Sequence, residues 1–139
     1  MNMGRSLLQL IERLRGSPAW IEANELKRRL DHGEAVTVVD VRGRDEFVGP
    51  LGHIATARNI PVAELESRLG ELAGLERGLI VLACRTDKRS AMAARTLRAA
   101  GFTRVNVLRR GMEQWNETSL PVEGAAADAT ARASTAKGI

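Results

Sequence analysis

The chain has 139 residues, 44% of them hydrophobic, which fits one folded domain with its own core and excludes a wholly disordered protein. Only 3% of residues are aromatic, which disfavours a stacking platform for single-stranded nucleic acid. The net charge of +4 comes from charges mixed along the sequence rather than gathered in one block, so we expect no nucleic-acid partner.

The cysteine and histidine content bounds the chemistry further. A single cysteine, Cys84, cannot form an internal disulfide and predicts a free thiol, which suits a reducing compartment and hence the cytoplasm. With only two histidines beside it, a thiolate zinc site is not expected, and we expect no metal or cofactor. No apolar run is long enough to form a transmembrane segment.

Residues 1–18 are expected to form an N-terminal amphipathic helix and a linker. Leucine and isoleucine recur at helical spacing among charged residues, and Gly16, Ser17 and Pro18 end the pattern. We expect this helix to pack on its own domain, while a membrane surface or a second chain are the alternative contacts.

The sequence next predicts a short apolar entry at residues 19–21, a helix at 25–30 and a central strand at 36–39. A helical turn at 44–47, an edge strand at 58–60 and a helix at 64–72 are expected to follow. A buried strand, a helix, a strand and a last helix follow at residues 79–83, 89–100, 105–108 and from 111 onward. Residues 124–139 contain almost no large apolar residue and predict a disordered C-terminal tail. Strands that alternate with helices favour an α/β fold whose sheet is mostly parallel and covered by helices on both faces.

The buried strand at residues 79–83 ends on Cys84, and a polar loop and a helix follow it. The carboxyl end of a strand that faces a helix amino terminus attracts anions and favours a thiolate. A lone cysteine in this position is often only a small core residue. Three cations in the next five positions, Arg85, Lys88 and Arg89, favour instead a reactive thiol that attracts anionic substrates.

Three groups of motifs, in order along the chain, resemble the signatures of rhodanese-like domains. The first group resembles the N-terminal signature, the loop from Cys84 to Arg89 resembles the active-site loop, and the third group resembles the closing motif. The first group consists of Val39-Asp40-Val41-Arg42, Glu46-Phe47, Gly52-His53-Ile54 and Ala57-Arg58-Asn59-Ile60-Pro61. The third group consists of Leu108, Gly111-Met112, Trp115 and Pro121-Val122.

The resemblance spans residues 19–123 and implies a single rhodanese-like domain with a five-stranded sheet. It also implies a sulfurtransferase that moves a sulfane sulfur from a small-molecule donor such as thiosulfate to a thiol or cyanide through a persulfide on Cys84. A sulfur-carrier protein is a further candidate partner. The sequence departs from the common pattern at Asp87 and Arg110, where many members have glycine, and at Ala55-Thr56, where Pro-Gly is frequent.

Each candidate site residue has an expected role. Cys84 is the catalytic nucleophile, and the substrate-binding residues are those of the loop, Arg85, Thr86, Asp87, Lys88 and Arg89. Its backbone N–H groups would hold the anionic persulfide, and Arg85 and Lys88 would bind the sulfonate of the donor. Arg89 either assists them or faces solvent. The expected structural supports are Asp40, Arg42, Glu46 and His53. The resemblance implies that Arg42 forms a buried or half-buried ion pair that braces the loop, while contact of Asp40 and Arg42 with the substrate is the alternative. His53 is expected to hydrogen-bond to a carboxylate such as Glu46.

Two other functions are alternatives. The first alternative is a cysteine-based phosphatase or an arsenate reductase, enzymes whose loop has the pattern Cys-x5-Arg. This chain has Cys-x4-Arg, and the shorter loop suits a single sulfur atom better than a phosphate. A non-catalytic rhodanese module for partner binding or regulation is the second alternative. The presence of Cys84 argues against it, while Asp87 keeps it open.

Overall fold

The structure is a computed structural model, and it describes Leu7 and residues 19–124. The expected N-terminal helix, apart from Leu7, and the expected tail beyond Gly124 lie outside the described residues. The elements are β1 (Ala19–Ile21), α1 (Ala23–Asp31), β2 (Val36–Asp40), α2 (Arg44–Phe47), β3 (Arg58–Asn59), α3 (Val62–Leu65), a 3₁₀ helix (Glu66–Leu72), β4 (Leu79–Ala83), α4 (Lys88–Ala99), β5 (Arg104–Leu108) and α5 (Gly111–Glu117).

The five strands form one sheet in the order β1-β5-β4-β2-β3, and every pairing is parallel. This confirms the predicted α/β fold and its five-stranded sheet. All five residues of β4 are buried, because this strand lies in the middle of the sheet with helices over both faces. Among the described residues, no helix is long and apolar enough to cross a bilayer.

Two hydrophobic clusters, one on each face of the sheet, hold the helices. Alternate residues of β4 serve the two clusters, as the period of two in a strand requires: Ile80 and Leu82 lie in one, and Val81 and Ala83 in the other. The first cluster includes residues of α3, the 3₁₀ helix and α4, and the second includes residues of α1 and α5.

Three segments differ from the sequence expectation. The short apolar entry at residues 19–21 is an edge strand, because Ala19–Ile21 pair with residues 106–108 of β5. The helix expected at residues 64–72 is split into α3 and a 3₁₀ helix, with a kink at Arg68, where φ is −113°. The strand expected to be central, β2, lies between β4 and the edge strand β3, and β4 takes the centre.

Candidate active site

Cys84 lies directly after β4, at the carboxyl edge of the sheet. Its neighbour across the sheet is the end of β2, because Asp40 pairs with Ala83 and the Val41 N–H donates to the Ala83 carbonyl at 2.9 Å. Cys84 is 1% exposed and belongs to the cluster that contains Ala93 and Ala94 of α4. Cys84 therefore lies on the face of the sheet that α4 covers.

The amino terminus of α5 holds the loop that follows Cys84. The Met112 N–H donates to the Cys84 carbonyl at 2.8 Å, and the Glu113 N–H donates to the Arg85 carbonyl at 3.1 Å. The carbonyls of Cys84, Arg85 and Thr86 all converge on Gly111, where a Cβ atom would lie only 2.2, 2.8 and 2.5 Å from their oxygens. Gly111 is therefore required for this close approach.

The same contacts orient the amides of the loop. In a trans peptide the N–H points away from the carbonyl that precedes it, so the amides of residues 85–87 point away from α5. The first backbone bond of α4 runs from the Ala91 N–H to the Asp87 carbonyl, so the amides of residues 88–90 precede the helical pattern and have no partner within the helix. Both sets of amides are available to an anion at the loop.

A buried ion pair lies at the end of β2, the strand next to β4. Arg42 and Asp40 are each 1% exposed, and the guanidinium donates to both carboxylate oxygens, with Nε–Oδ1 and Nη2–Oδ2 distances of 2.9 and 2.7 Å. Arg42 also donates to the Gly52 carbonyl at 2.7 Å, and the Asn59 amide donates to the carbonyls of Asp40 and Arg42. The expected ion pair of Arg42 is thus present and buried, and the further bonds tie the end of β2 to Gly52 and to Asn59 of β3, whereas its bracing of the Cys84 loop stays a prediction.

Arg89, the last residue of the loop, is held by an ion pair with Glu46. Its guanidinium donates to both carboxylate oxygens of Glu46, at 2.6 and 2.9 Å, and it is half-buried. The Glu46 carboxylate raises the pKa of Arg89, and the negative charges of Cys84 and Asp40 act in the same direction. In return, the hydrogen bond from Arg89 lowers the pKa of Glu46 to about 2. Arg89 is therefore held in place, with its charge near the sulfur.

The other loop side chains are more exposed. Arg85 donates through Nε to the Glu113 carboxylate at 2.7 Å, and Thr86 and Lys88 are exposed. Asp87 precedes the first turn of α4 at φ −148°, a conformation open to any residue, so this backbone does not require the glycine of the common pattern. Its carboxylate is half-buried and makes no capping bond to the helix.

The structure does not bring His53 and Glu46 together as expected. The Nδ1 atom of His53 lies 2.8 Å from the Phe47 carbonyl, and its ring stacks on the Phe47 ring with centroids 3.7 Å apart. Glu46 turns to Arg89 instead, because a permanently charged guanidinium is a stronger partner than an imidazole. His53 therefore makes a structural hydrogen bond, but to a backbone carbonyl, and the carboxylate within ion-pair distance of its ring is that of Glu123, 3.9 Å from Nε2, rather than that of Glu46.

Several residues of the site had no role in the sequence prediction. Asn59 holds the carbonyls at the end of β2 and Gly111 lies against the carbonyls of the loop, and both lie in the motifs that carry the family resemblance. Glu113 pairs with Arg85 across 28 positions, and no local pattern signals that pair. Beside the loop, an open cavity of about 240 Å³ is lined by Arg42, Glu46, Pro50, Leu51 and Arg85.

This arrangement can stabilise negative charge at one sulfur atom. The loop that follows the buried Cys84 carries amides without a partner in α4, the amino end of that helix and the Arg89 guanidinium. Each of these groups favours an anionic sulfur over a neutral one.

Comparison with known proteins identifies relatives of the whole folded region. Residues 22–118 match the rhodanese-like domain family. A rhodanese-related protein from Thermoplasma volcanium has a crystal structure that superposes with a TM-score of 0.66 at 30% sequence identity, covering 76% of this chain and 97% of that one.

Two curated relatives differ in what their names say. A sulfurtransferase of Allochromatium vinosum is 32% identical over 102 residues, which cover 73% of this chain and 92% of that protein. An HTH-type transcriptional regulator of Mycobacterium tuberculosis is 45% identical over 111 residues, which cover 78% of this chain and 46% of the regulator. The chain spans about half the length of several curated relatives, this regulator among them.

Proposed function

The chain belongs to the rhodanese-like domain family, and on that premise we propose that it is a sulfurtransferase that carries a sulfane sulfur on Cys84. The observation that carries the proposal is the loop after β4. The carbonyls of Cys84 and Arg85 bond to α5, which turns the amides that follow them away from α5, and this supports a role for those amides in holding an anion at the only thiol of the chain.

In the first step the Cys84 thiolate attacks the outer sulfur of a donor such as thiosulfate. A new S–S bond forms at Cys84, the S–S bond of thiosulfate breaks, and its electron pair leaves with sulfite. In the second step cyanide or a thiolate attacks the outer sulfur, and the Cys84 thiolate is regenerated. The charge is conserved in both steps, and neither step requires an oxidant.

The chain's own groups suit both steps. The persulfide is an anion one atom longer than the thiolate, and the amides of the loop and the amino end of α4 stabilise it. Arg89 keeps a positive charge beside Cys84, because Glu46 fixes its position. In this proposal the exposed Lys88, and Arg85 at the edge of the cavity, bind the sulfonate of the donor.

Steady-state thiocyanate formation from thiosulfate and cyanide tests this proposal. We expect turnover by the wild type and none by Cys84→Ser, and we expect Lys88→Ala to raise KM several-fold while Lys88→Arg does not. A panel of organic persulfide and thiosulfonate donors would then rank the substrates. Absence of turnover with every donor, or full turnover by Cys84→Ser, would exclude a sulfurtransferase that acts through this residue.

A second candidate is a regulatory domain that responds to sulfur or another ligand without turnover. It is favoured by the 45% identity to a transcriptional regulator and by Asp87, which places a negative charge in the loop. The same donor panel separates the two: a regulatory domain would take up one sulfur on Cys84, or none, and would not turn over.

A further inference from the structure

Asp87 is the acidic residue of the loop after β4, and its carboxylate has no hydrogen-bond or ion-pair partner within the part of the chain that the structure describes. The residue is half-buried and comes directly before α4. An aspartate in this position usually accepts hydrogen bonds from the first amides of the helix, whereas this carboxylate makes no such bond. A carboxylate that is partly removed from water without a partner is unfavourable, so it favours a cation that can bind to it.

The other carboxylates around the loop are each neutralised by an arginine. These pairs are Asp40–Arg42, Glu46–Arg89 and Glu113–Arg85, with N–O distances of 2.7, 2.6 and 2.7 Å. Lys88, the residue after Asp87, is exposed, and among the described residues it forms no ion pair. The side chains of the loop therefore offer one unpaired negative charge beside one unpaired positive charge, rather than a surplus of positive charge.

Asp87 lies near the reacting sulfur because of its place in the chain. Three peptide units separate it from Cys84, so the two Cα atoms are at most about 11 Å apart. Charges at this range still act on one another at low ionic strength, because the Debye length is about 30 Å in 0.01 M salt. The carboxylate therefore repels an anionic reactant at Cys84 and attracts a reactant that carries a positive charge.

We propose that Asp87 is a specificity-determining residue whose carboxylate binds the ammonium group of an aminothiol, the acceptor that takes the sulfur from Cys84. In this step the acceptor thiolate attacks the outer sulfur of the persulfide and a new S–S bond forms on the acceptor. The S–S bond at Cys84 breaks, and its electron pair returns to the Cys84 thiolate. Asp87 exchanges neither a proton nor an electron. The inference deepens the proposed function and rests on it for the role in sulfur transfer.

Alkylation of Cys84 tests the charge selectivity without any sulfur transfer, because Cys84 is the only cysteine. Iodoacetate and iodoacetamide are similar in shape and differ by one negative charge. In about 0.01 M salt we expect Asp87→Asn to raise the rate with iodoacetate, relative to that with iodoacetamide, about fivefold, and Asp87→Glu to keep the wild-type ratio. The increase should disappear in about 1 M salt, where the Debye length is about 3 Å.

Glu66→Gln is the matched control for the loss of one negative charge. Glu66 is exposed and lines a cavity with Ala99 and Ala100 at the far end of α4 from Asp87. Its variant should change the alkylation ratio by less than about twofold, since the charge lies farther from Cys84. A change in Glu66→Gln as large as that in Asp87→Asn would overturn a specific role for Asp87.

Discharge of the persulfide gives the second readout. The persulfide is formed with thiosulfate, and its reaction with cationic cysteamine and with neutral 2-mercaptoethanol is timed in the wild type and in Asp87→Asn. We expect the variant to react about fivefold more slowly with cysteamine and at an unchanged rate with 2-mercaptoethanol. An unchanged alkylation ratio, or an equal loss of rate with both thiols, would overturn the inference. If the wild type forms no persulfide with any donor while the alkylation ratio still rises in Asp87→Asn, the proposed function and the acceptor role fail, and the charge selectivity of the loop stands.

Discussion

Gly111→Ala should disable the loop that surrounds Cys84. Cβ contacts under 3.0 Å are essentially never seen, and a Cβ on Gly111 would lie 2.2 Å from the Cys84 carbonyl oxygen. The backbone of the loop or of α5 must therefore move by at least about 0.8 Å. That shift weakens the two hydrogen bonds from Met112 and Glu113 to the loop, each about 1 kcal/mol. The left-handed φ of +48° adds about 1–2 kcal/mol.

Gly101→Ala is the matched control, because its φ is +100° and a Cβ there would have nothing within 4 Å. Both variants have the backbone strain, and only Gly111→Ala has the clash. We expect Gly111→Ala to lose about 2 kcal/mol more stability than Gly101→Ala in urea unfolding. Its rate of thiocyanate formation should fall on the order of a hundredfold, since about 1 Å of misplacement has that effect, while Gly101→Ala keeps its rate. Equal stability losses and equal rates in the two variants would refute this account of the loop.

Three further substitutions test the support of the site. Arg42→Met should lower the free energy of unfolding, measured in urea, by about 3–5 kcal/mol, because it leaves the buried carboxylate of Asp40 without a partner. The double variant with Asp40→Asn should recover at least half of that loss, and a loss under about 1 kcal/mol in Arg42→Met would contradict the buried pair. Glu46→Gln should lower the free energy of unfolding by about 1 kcal/mol near pH 7, since solvent screens the ion pair between Glu46 and Arg89. Because the pKa of Glu46 falls from 4.5 to about 2 on folding, its contribution is present above pH 4.5 and disappears as the pH approaches 2, so a difference that persists near pH 2 would refute the linkage. Thr56→Gly should stabilise by about 1 kcal/mol in thermal unfolding, since Thr56 is exposed with φ at +69°, and a lower Tm would contradict the strain.

The sequence predicted the features of the fold that depend on local pattern. The apolar run at Leu79–Ala83 is the central strand, and the cations after Cys84 lie in a loop at the carboxyl edge of the sheet. The structure also distinguishes the departures from the family pattern by whether the backbone at each position favours glycine. Thr56 and Arg110 occupy left-handed positions that favour glycine, whereas Asp87 does not.

The partners of the charged side chains could not be predicted. Arg89 meets Glu46 across 43 positions, and Arg85 meets Glu113 across 28, so each pair depends on how the helices are placed around the sheet. Composition also does not say which of several carboxylates a histidine will meet: His53 bonds through Nδ1 to a backbone carbonyl, and its Nε2 lies 3.9 Å from the Glu123 carboxylate rather than from that of Glu46. Only the structure shows that the hydroxyl of Ser90 is buried without a hydrogen-bond partner among the described residues, because this depends on how its neighbours are placed.

The central claim is that Cys84 carries the sulfur, and intact-protein mass spectrometry tests it most directly. The protein is incubated with thiosulfate, measured, and then treated with cyanide, alongside Cys84→Ser. We expect the wild type alone to gain the mass of one sulfur atom and to lose it on cyanide addition, with release of one equivalent of thiocyanate. No gain of mass with thiosulfate or with an organic persulfide, or an equal gain in Cys84→Ser, would contradict the account.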